Sequence, residues 1–123
     1  MTDFKRITKA VIPAAGFGTR MLPTTKALPK EMLPVAAKPM IQYAVEEAAA
    51  AGIETIIFVV RSNKAVIQAH FGRDPELESL LEQRHQLAAA GVVRRLAEFA
   101  QLQFVEQEKS LGLAHAIPVR ARL

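Results

Sequence analysis

The chain has 123 residues, of which half are apolar and 23% are charged, and this is the balance of an ordinary globular protein. That length supports one domain with a real core but not two, so residues 1–123 are expected to form a single domain. No apolar run approaches the roughly 20 residues that a membrane span needs. The apolar stretch near the start is interrupted by Pro13 and is too short for a signal peptide. We therefore expect a cytoplasmic protein that does not bind membranes. The absence of cysteine excludes a disulfide framework and thiolate metal sites.

The formal net charge is +4, which would suit a nucleic-acid partner. However, the basic residues form no stripe with interleaved aromatic side chains, since there is no tryptophan and only one tyrosine. Part of the basic excess lies in one loop, beside glycines, at Arg20, Lys26, Lys30 and Lys38. This clustering favours a compact phosphate ligand over a nucleic-acid backbone.

The first half of the chain alternates between strands and one helix. Residues 8–13 are a short apolar run that ends at a Pro-Ala-Ala-Gly break, which is typical of a buried strand. Residues 14–38 are rich in proline and are predicted to form an ordered loop with at most one short turn of helix. A helix is then predicted from Pro39 to the stop at Gly52. Residues 54–60 are predicted to form a second buried strand. The apolar stripe of the helix is Ile41, Ala44, Val45 and Ala48, whereas Gln42, Glu46 and Glu47 are expected to face outward.

The second half continues with helices and a third strand. Asn63 is predicted to cap a short helix that Gly72 closes. Asp74, before a proline, is predicted to cap a longer helix that Gly91 kinks or ends and that continues helically to about residue 99. Residues 102–106 are predicted to form the third strand. The leucine-rich face of the longer helix, which comprises Leu77, Leu80, Leu81 and Ala88, is expected to enter the core.

This alternation of strands and helices predicts an α/β fold with a parallel sheet and helices on both faces. In such sheets ligands bind beyond the carboxyl ends of the strands, so the loops after Pro13 and Glu106 are the candidate sites. Three strands are few for a parallel sheet, which is normally buried on both faces. We therefore expect the domain to be incomplete at its C-terminal end.

The glycine loop that follows the first strand is the most informative segment. Gly16 and Gly18 lack side chains, so backbone N–H groups can approach a phosphate closely there. Arg20 supplies a planar fork for two phosphate oxygens, and Lys30 supplies a compact positive charge. The pattern is neither the P-loop nor the dinucleotide fingerprint, because the required lysine or third glycine is not at the right spacing. A phosphate site is favoured, and the alternative is a simple turn with solvated bases.

The run GFGTRMLPTTKALPKEMLPV, residues 16–35, resembles the signature loop of the sugar nucleotidyltransferases. Within it, PKEM is similar to the UTP:glucose-1-phosphate uridylyltransferase form, whereas thymidylyltransferase relatives usually vary this stretch. The resemblance continues through KPMIQYAVEEA, NKAVIQAHF and VEQEKSLGLAHA, so it covers the chain from residue 7 to about residue 117. It implies a Rossmann-like fold of the nucleotide-diphospho-sugar transferase type, with a mixed sheet in complete members. It also implies the synthesis of UDP-glucose and pyrophosphate from UTP and glucose-1-phosphate.

The resemblance also implies roles for individual residues. The arginine and lysine that match Arg20 and Lys30 hold and activate the nucleotide phosphates, so these two are the expected catalytic residues. Gln107, followed by Gly112, has the spacing with which the family reads the pyrimidine ring, since an amide can pair with both a donor and an acceptor on uracil. Glu31 is expected to touch the ribose or orient a lysine, and a local ion pair is an equal alternative. The full expected nucleotide-binding set is Ala14, Ala15, Gly16, Gly18, Thr19, Arg20, Lys30, Glu31, Gln107 and Gly112.

The family implies Mg²⁺, which later aspartates bind in complete members. Asp3 and Asp74 are the only aspartates in this chain, and neither is placed to substitute. His70 and His115 lack neighbours at metal-ligand spacing and are assigned structural roles. We therefore expect no metal site within the chain and no catalysis by the chain alone.

Four hypotheses remain open at this point. The chain is part of an enzyme that makes UDP-glucose, or part of a glucose-1-phosphate thymidylyltransferase relative. Alternatively, it is a binding module that holds a uridine nucleotide without catalysis. The last hypothesis is an association module that pairs through a sheet edge and the leucine-rich helix. A homo-oligomer is compatible with each of them.

Overall fold

The structure is a computed structural model that describes residues 6–107. In chain order the strands are β1 Lys9–Pro13, β2 Pro34–Val35, β3 Lys38–Pro39, β4 Thr55–Val60 and β5 Gln101–Glu106, and the α-helices are α1 Met40–Ala50, α2 Lys64–Phe71, α3 Pro75–Gln83 and α4 Leu87–Leu96. β4 lies between β1 and β5 and pairs in parallel with both. This arrangement confirms the predicted parallel α/β fold.

β4 forms the centre of the core. Its residues from Ile56 to Val60 are completely buried, as expected for a continuous apolar strand inside a parallel sheet. The Phe58 ring lies 5.5 Å from the Phe104 ring on β5 and 6.2 Å from the Phe71 ring on α2. These aromatic contacts join the strands to the helical layer. The carboxyl ends of β4 and β5 are therefore held side by side.

Helices α1 and α2 pack on the face of the sheet that carries Phe58. α1 contributes Ile41 and Val45, and α2 contributes Ile67 and Phe71. Full burial of each such side chain stabilises the fold by about 1.5–3 kcal/mol relative to exposure. Both helices were predicted, and their packing fixes the loops that precede them at the carboxyl edge of the sheet.

The α1 stripe differs from the prediction at two positions. Ala44 is exposed, whereas Gln42, which was expected to face outward, is buried. The Gln42 side-chain oxygen lies 2.8 Å from Nε2 of His70 on α2. Because α1 faces α2 as well as the sheet, a polar residue is buried where it finds a hydrogen-bonding partner.

The predicted long helix is two helices, α3 and α4. The break lies at His85, which has a φ of 58°, and not at Gly91, which lies inside α4. Asp74 caps α3 as predicted, since its Oδ1 accepts a hydrogen bond from the Leu77 amide at 3.0 Å. A histidine in the left-handed region reverses the chain there without a glycine. Among the described residues, no helix combines the length and apolar character needed to cross a membrane.

The expected burial of the leucine-rich face is wrong. Leu77, Leu80 and Ala88 are exposed and Leu81 is only half-buried, whereas Glu78 is buried. The Glu78 carboxylate accepts hydrogen bonds from Arg73 at 3.0 Å and from Arg94 on α4 at 3.1 Å. α3 packs mainly against α4 through this charged cluster, so the leucines remain outside it. The Arg73 hydrogen bonds lower the pKa of Glu78, which keeps it ionised.

The proline-rich loop contains more structure than predicted. It forms three 3₁₀ turns, at Thr19–Met21, Thr24–Lys26 and Lys30–Met32, followed by the antiparallel pair β2 and β3. Pro23 and Pro29 directly precede the second and third turns. Proline disrupts a long helix but tolerates isolated turns, which explains the segmentation.

Candidate functional site

Gly18 fixes the tip of the glycine loop. Its φ of 68° lies in the left-handed region, and the Thr25 hydroxyl donates a 2.6 Å hydrogen bond to its carbonyl oxygen. A Cβ atom at this position would lie 3.1 Å from the Thr25 methyl group and 3.2 Å from Cβ of Lys30. Both the backbone angle and the packing therefore require glycine.

Gly16 and Lys30 lie together, as the sequence predicted for a phosphate site. A Cβ atom at Gly16 would lie 3.3 Å from the Lys30 ammonium nitrogen. The ammonium group is thus positioned beside backbone that no side chain covers. An anion at this position could accept hydrogen bonds from the ammonium and approach the backbone closely.

A cavity of about 260 Å³ opens beside this pair. The cationic side chains on its lining are Lys26, Lys30 and Arg61, and the anionic one is Glu31. The remaining lining residues are Gly16, Phe17, Thr25, Ala27, Leu28, Pro29, Ser62, Asn63 and Val66. The excess of positive charge and the exposed glycine backbone suit a phosphate-bearing ligand.

A buried hydrogen-bond network supports the cavity from below. The Asn63 amide nitrogen donates to the Ala14 carbonyl oxygen at 2.6 Å and to Oε1 of Glu31 at 2.8 Å. The Asn63 side-chain oxygen accepts from the Arg61 amide at 3.0 Å. Asn63 is the N-terminal cap residue of α2, as predicted, but its side chain makes no capping hydrogen bond, because its polar atoms bond to the ends of β1 and β4 and to the signature loop.

Glu31 is part of this network. It is buried, its Oε2 atom has no hydrogen-bond partner, and burial raises the pKa of its carboxyl group despite the Asn63 hydrogen bond and the nearby Lys30. The observed geometry is that of a support beneath the loop. A direct contact with a nucleotide stays a prediction.

The other residues expected in the nucleotide loop occupy two environments. Thr19 and Arg20 lie on the exposed 3₁₀ turn after Gly18, outside the lining of the cavity that contains Lys30. Ala14 and Ala15 are buried, and the Ala14 amide already donates to Val59 at 2.7 Å. The structure therefore brings Gly16, Lys30 and Glu31 together, and Arg20 lies apart from them.

Gln107 lies at the carboxyl end of β5. It is buried, and its backbone amide donates to the Val60 carbonyl oxygen at 2.7 Å. With Arg61, Ser62 and Glu106 it lines a second cavity of about 360 Å³. Arg61 and Ser62 line both cavities, so the second candidate loop adjoins the first, as expected at the edge of a parallel sheet. Gly112 and His115 lie outside the described residues.

Arg61 and Phe17 were missed by the sequence analysis. The Arg61 guanidinium carbon lies 3.7 Å from the centre of the Phe17 ring, which is 62% exposed. Two features could have indicated the pair: a large apolar residue between two loop glycines, and a basic residue directly after a buried strand.

Metal ligands do not cluster in the part of the chain that the structure describes. Within residues 6–107, no group of three His, Asp or Glu side chains could hold a metal ion. His70 is half-buried, it contacts Gln42 and the edge of Phe71, and burial lowers its pKa. These contacts agree with the structural role predicted for it.

A parallel sheet with a glycine loop and a lysine at its carboxyl edge defines the chain as an α/β protein with a candidate phosphate site. Comparison with protein families then identifies it more narrowly. The chain belongs to the Nucleotidyl transferase family, whose sequence profile matches residues 9–123.

Curated relatives are similar over most of this chain. It is 49% identical over 113 residues to a UTP–glucose-1-phosphate uridylyltransferase of Bacillus subtilis, with 92% of this chain and 38% of the relative covered. It is 51% identical over 112 residues to UTP–glucose-1-phosphate uridylyltransferase 1 of Staphylococcus saprophyticus, with 91% and 39% covered. The chain thus spans about two fifths of the length of these relatives.

Solved structures show the same likeness in three dimensions. A UTP-bound UGPase from Acinetobacter baumannii has a TM-score of 0.85 and 45% identity, over 91% of this chain and 40% of that one. A UDP-glucose pyrophosphorylase complexed with UDP-glucose has a TM-score of 0.74 and 40% identity, over 95% and 41%. These similarities confirm the predicted fold class.

Proposed function

We propose that this chain provides the nucleotide-binding part of a UTP:glucose-1-phosphate uridylyltransferase. The observation that carries the proposal is the placement of the Lys30 ammonium beside the bare backbone of Gly16, in a cavity that adjoins the one lined by Gln107. Phosphates would bind at the first cavity and uracil at the second. Relatives that share 40–45% identity with the chain and bear the names UTP-bound UGPase and UDP-glucose pyrophosphorylase support the choice of nucleotide.

In the proposed reaction a phosphate oxygen of glucose-1-phosphate attacks the α-phosphorus of UTP. The bond to the β-phosphate oxygen breaks, and UDP-glucose and pyrophosphate form. The attacking phosphate is already ionised, so positioning and fixed positive charge dominate the catalysis. Lys30 supplies that charge from the cavity, and Arg20 supplies it from the exposed turn of the same loop.

The remaining roles concern the base and the ribose. Gln107 and Gly112 would recognise uracil, and the backbone of Ala14, Ala15 and Gly16 would adjoin the base. Gly18 and Thr19 would shape the loop around the phosphates. Glu31 would act indirectly, by holding the loop and Lys30 in position. All of these assignments are proposals for the residues concerned.

Mg²⁺ belongs to this proposal as the cation that would shield the triphosphate. The described residues do not fit it, because no three His, Asp or Glu side chains cluster among residues 6–107, and Glu31, the one carboxylate on the first cavity, has a pKa that burial raises. Magnesium ligands would therefore have to lie outside residues 6–107. We also propose a cytoplasmic location and an inactive isolated chain, and a homo-oligomer stays a prediction.

The test is isothermal titration of UTP with Mg²⁺ into the 123-residue chain, with glucose-1-phosphate turnover assayed in parallel. Arg20→Ala should weaken binding, and Arg95→Ala, which removes an exposed arginine from α4, should not. Saturable binding without turnover is the expected result. Equal loss in both variants, or no binding to the folded chain, would contradict the proposal. Tighter binding of TTP than of UTP would favour a thymidylyltransferase instead.

One observation favours a second candidate function, which is association. Leu77, Leu80 and Leu87 are exposed on the pair of helices α3 and α4, and exposed apolar side chains of this kind are found at contact sites. Sedimentation over a range of protein concentrations tests this candidate. Assembly that Leu80→Lys abolishes, combined with no affinity for UTP, would replace the first proposal by the second.

A further inference from the structure

Phe17 is an exposed aromatic residue in the middle of the glycine loop. Gly16 and Gly18 flank it, and glycine permits more backbone conformations than any other residue. The ring is nevertheless held in one place, because the Arg61 guanidinium lies 3.7 Å from its centre. This contact joins the loop to the residue that directly follows β4.

Two other contacts fix the loop on either side of Phe17. The Asn63 side chain binds the Ala14 carbonyl oxygen, and the Thr25 hydroxyl binds the Gly18 carbonyl oxygen. Between these two contacts, the Phe17 side chain stacks on Arg61, which is distant in the sequence. The loop tip is therefore attached at three points.

Arg61 is suited to this role by its own surroundings. Its backbone amide donates to the Asn63 side-chain oxygen, so the residue is anchored in the same network that holds Ala14. Its Nη1 atom is buried and has no hydrogen-bond partner in the described structure. A partly desolvated guanidinium gains more from an aromatic face than a hydrated one does. Arg61 also lines both cavities, so the stack lies where the two adjoin.

We propose that Arg61, acting through Phe17, is a positioning residue for the glycine loop. The stack, which we call the Phe17–Arg61 clasp, holds the backbone of Gly16 in the place where it and Lys30 receive phosphate. The part of this inference that concerns nucleotide affinity rests on the proposed function. The part that concerns loop order does not.

Loop order is tested first, without nucleotide. Limited trypsin digestion of the whole chain should cut after Arg20, in the loop, and after Arg84, between α3 and α4, and mass spectrometry gives the two initial rates. In Phe17→Leu and Arg61→Gln the ratio of the Arg20 rate to the Arg84 rate should rise about fivefold, since one cation–π contact is lost. An unchanged ratio in both variants would overturn the clasp. Arg95→Gln is the matched control and should leave the ratio as it is.

Nucleotide affinity is tested next by a double-mutant cycle with UTP. Each single variant should weaken UTP binding about fivefold. The double variant should bind UTP as tightly as the single variant with the lower affinity, because both substitutions remove the same contact. Phe17→Tyr should restore the affinity, since it keeps an aromatic face. Additive losses, or no rescue by tyrosine, would contradict action through Phe17. If the unaltered chain binds no UTP, the proposed function fails, and the digestion ratio still decides the clasp.

Discussion

Gly18 and Gly16 allow the backbone of the loop to be tested apart from its chemistry. In Gly18→Ala the alanine would have to adopt the left-handed φ of 68° that Gly18 has, which costs roughly 1–2 kcal/mol. It would also meet Thr25 and Lys30 at 3.1–3.2 Å, and crowding in a packed site costs about 1 kcal/mol more. We expect a total loss of about 2–3 kcal/mol in the free energy of unfolding.

Gly16→Ala is the matched variant. Gly16 has no positive φ, and the contact of its new Cβ at 3.3 Å is with the flexible ammonium end of Lys30. The alanine should therefore change the free energy of unfolding by less than about 1 kcal/mol, because the mild crowding is offset by the lower conformational entropy of the unfolded chain. It should nevertheless weaken UTP binding, since it displaces Lys30 and covers the backbone.

Urea unfolding followed by circular dichroism measures both variants. With a slope of about 1.5 kcal/mol per molar urea, Gly18→Ala should lower the midpoint by about 1.5 M, and Gly16→Ala should leave it nearly unchanged. Equal midpoints for the two variants would refute the reasoning from backbone angle. Full UTP affinity in Gly16→Ala would refute the role assigned to its backbone.

Three further changes test the network and the charges. Asn63→Ala should lower the free energy of unfolding in urea by about 2 kcal/mol, because it leaves the Ala14 carbonyl and Glu31 buried without their donor. A loss below about 0.5 kcal/mol, which is typical of a surface substitution, would contradict this. Burial raises the pKa of Glu31, so the folded protein prefers the protonated carboxyl group and loses stability as pH rises through that pKa. Glu31→Gln should remove this loss. An unchanged dependence of the free energy of unfolding on pH would contradict the prediction. Arg73 lowers the pKa of Glu78, so the ion pair stabilises the fold at neutral pH and is lost as pH falls through that pKa. In thermal unfolding, Glu78→Gln should be destabilising near pH 7 and not in acid. A difference in stability between the variant and the unaltered chain that does not depend on pH would argue against this.

The sheet could be predicted because its signal is local. The run from Ile56 to Val60 is apolar at every position, which only a strand buried on both faces requires. Asp74 before Pro75 likewise marked the start of α3, since both residues favour that position for reasons of local geometry. The motif singled out both Gly16 and Lys30, which the structure places side by side, whereas their binding of phosphate stays a prediction.

The misses have physical reasons of a different kind. The periodicity of Leu77 and Leu80 indicates an apolar face but not what covers it, and the Glu78 ion pairs determined the packing of α3 on α4 instead. Nothing near His85 marks the left-handed residue that separates these helices. Asn63 matched a local cap, but its side chain bonds instead to Ala14 and Glu31, which are distant in the sequence, and to the Arg61 amide two residues before it. Long-range contacts of this kind follow only from the fold.

The central claim is that Lys30 and Gln107 serve one nucleotide site, the first for phosphates and the second for the base. The most direct measurement compares the affinities of UTP and of inorganic tripolyphosphate for the chain and for Lys30→Ala and Gln107→Ala. Lys30→Ala should weaken both ligands by about 10- to 100-fold, the range for a lost hydrogen bond to a charged group. Gln107→Ala should weaken UTP alone. Undiminished binding of both ligands by Lys30→Ala, or equal losses of both in Gln107→Ala, would contradict the account.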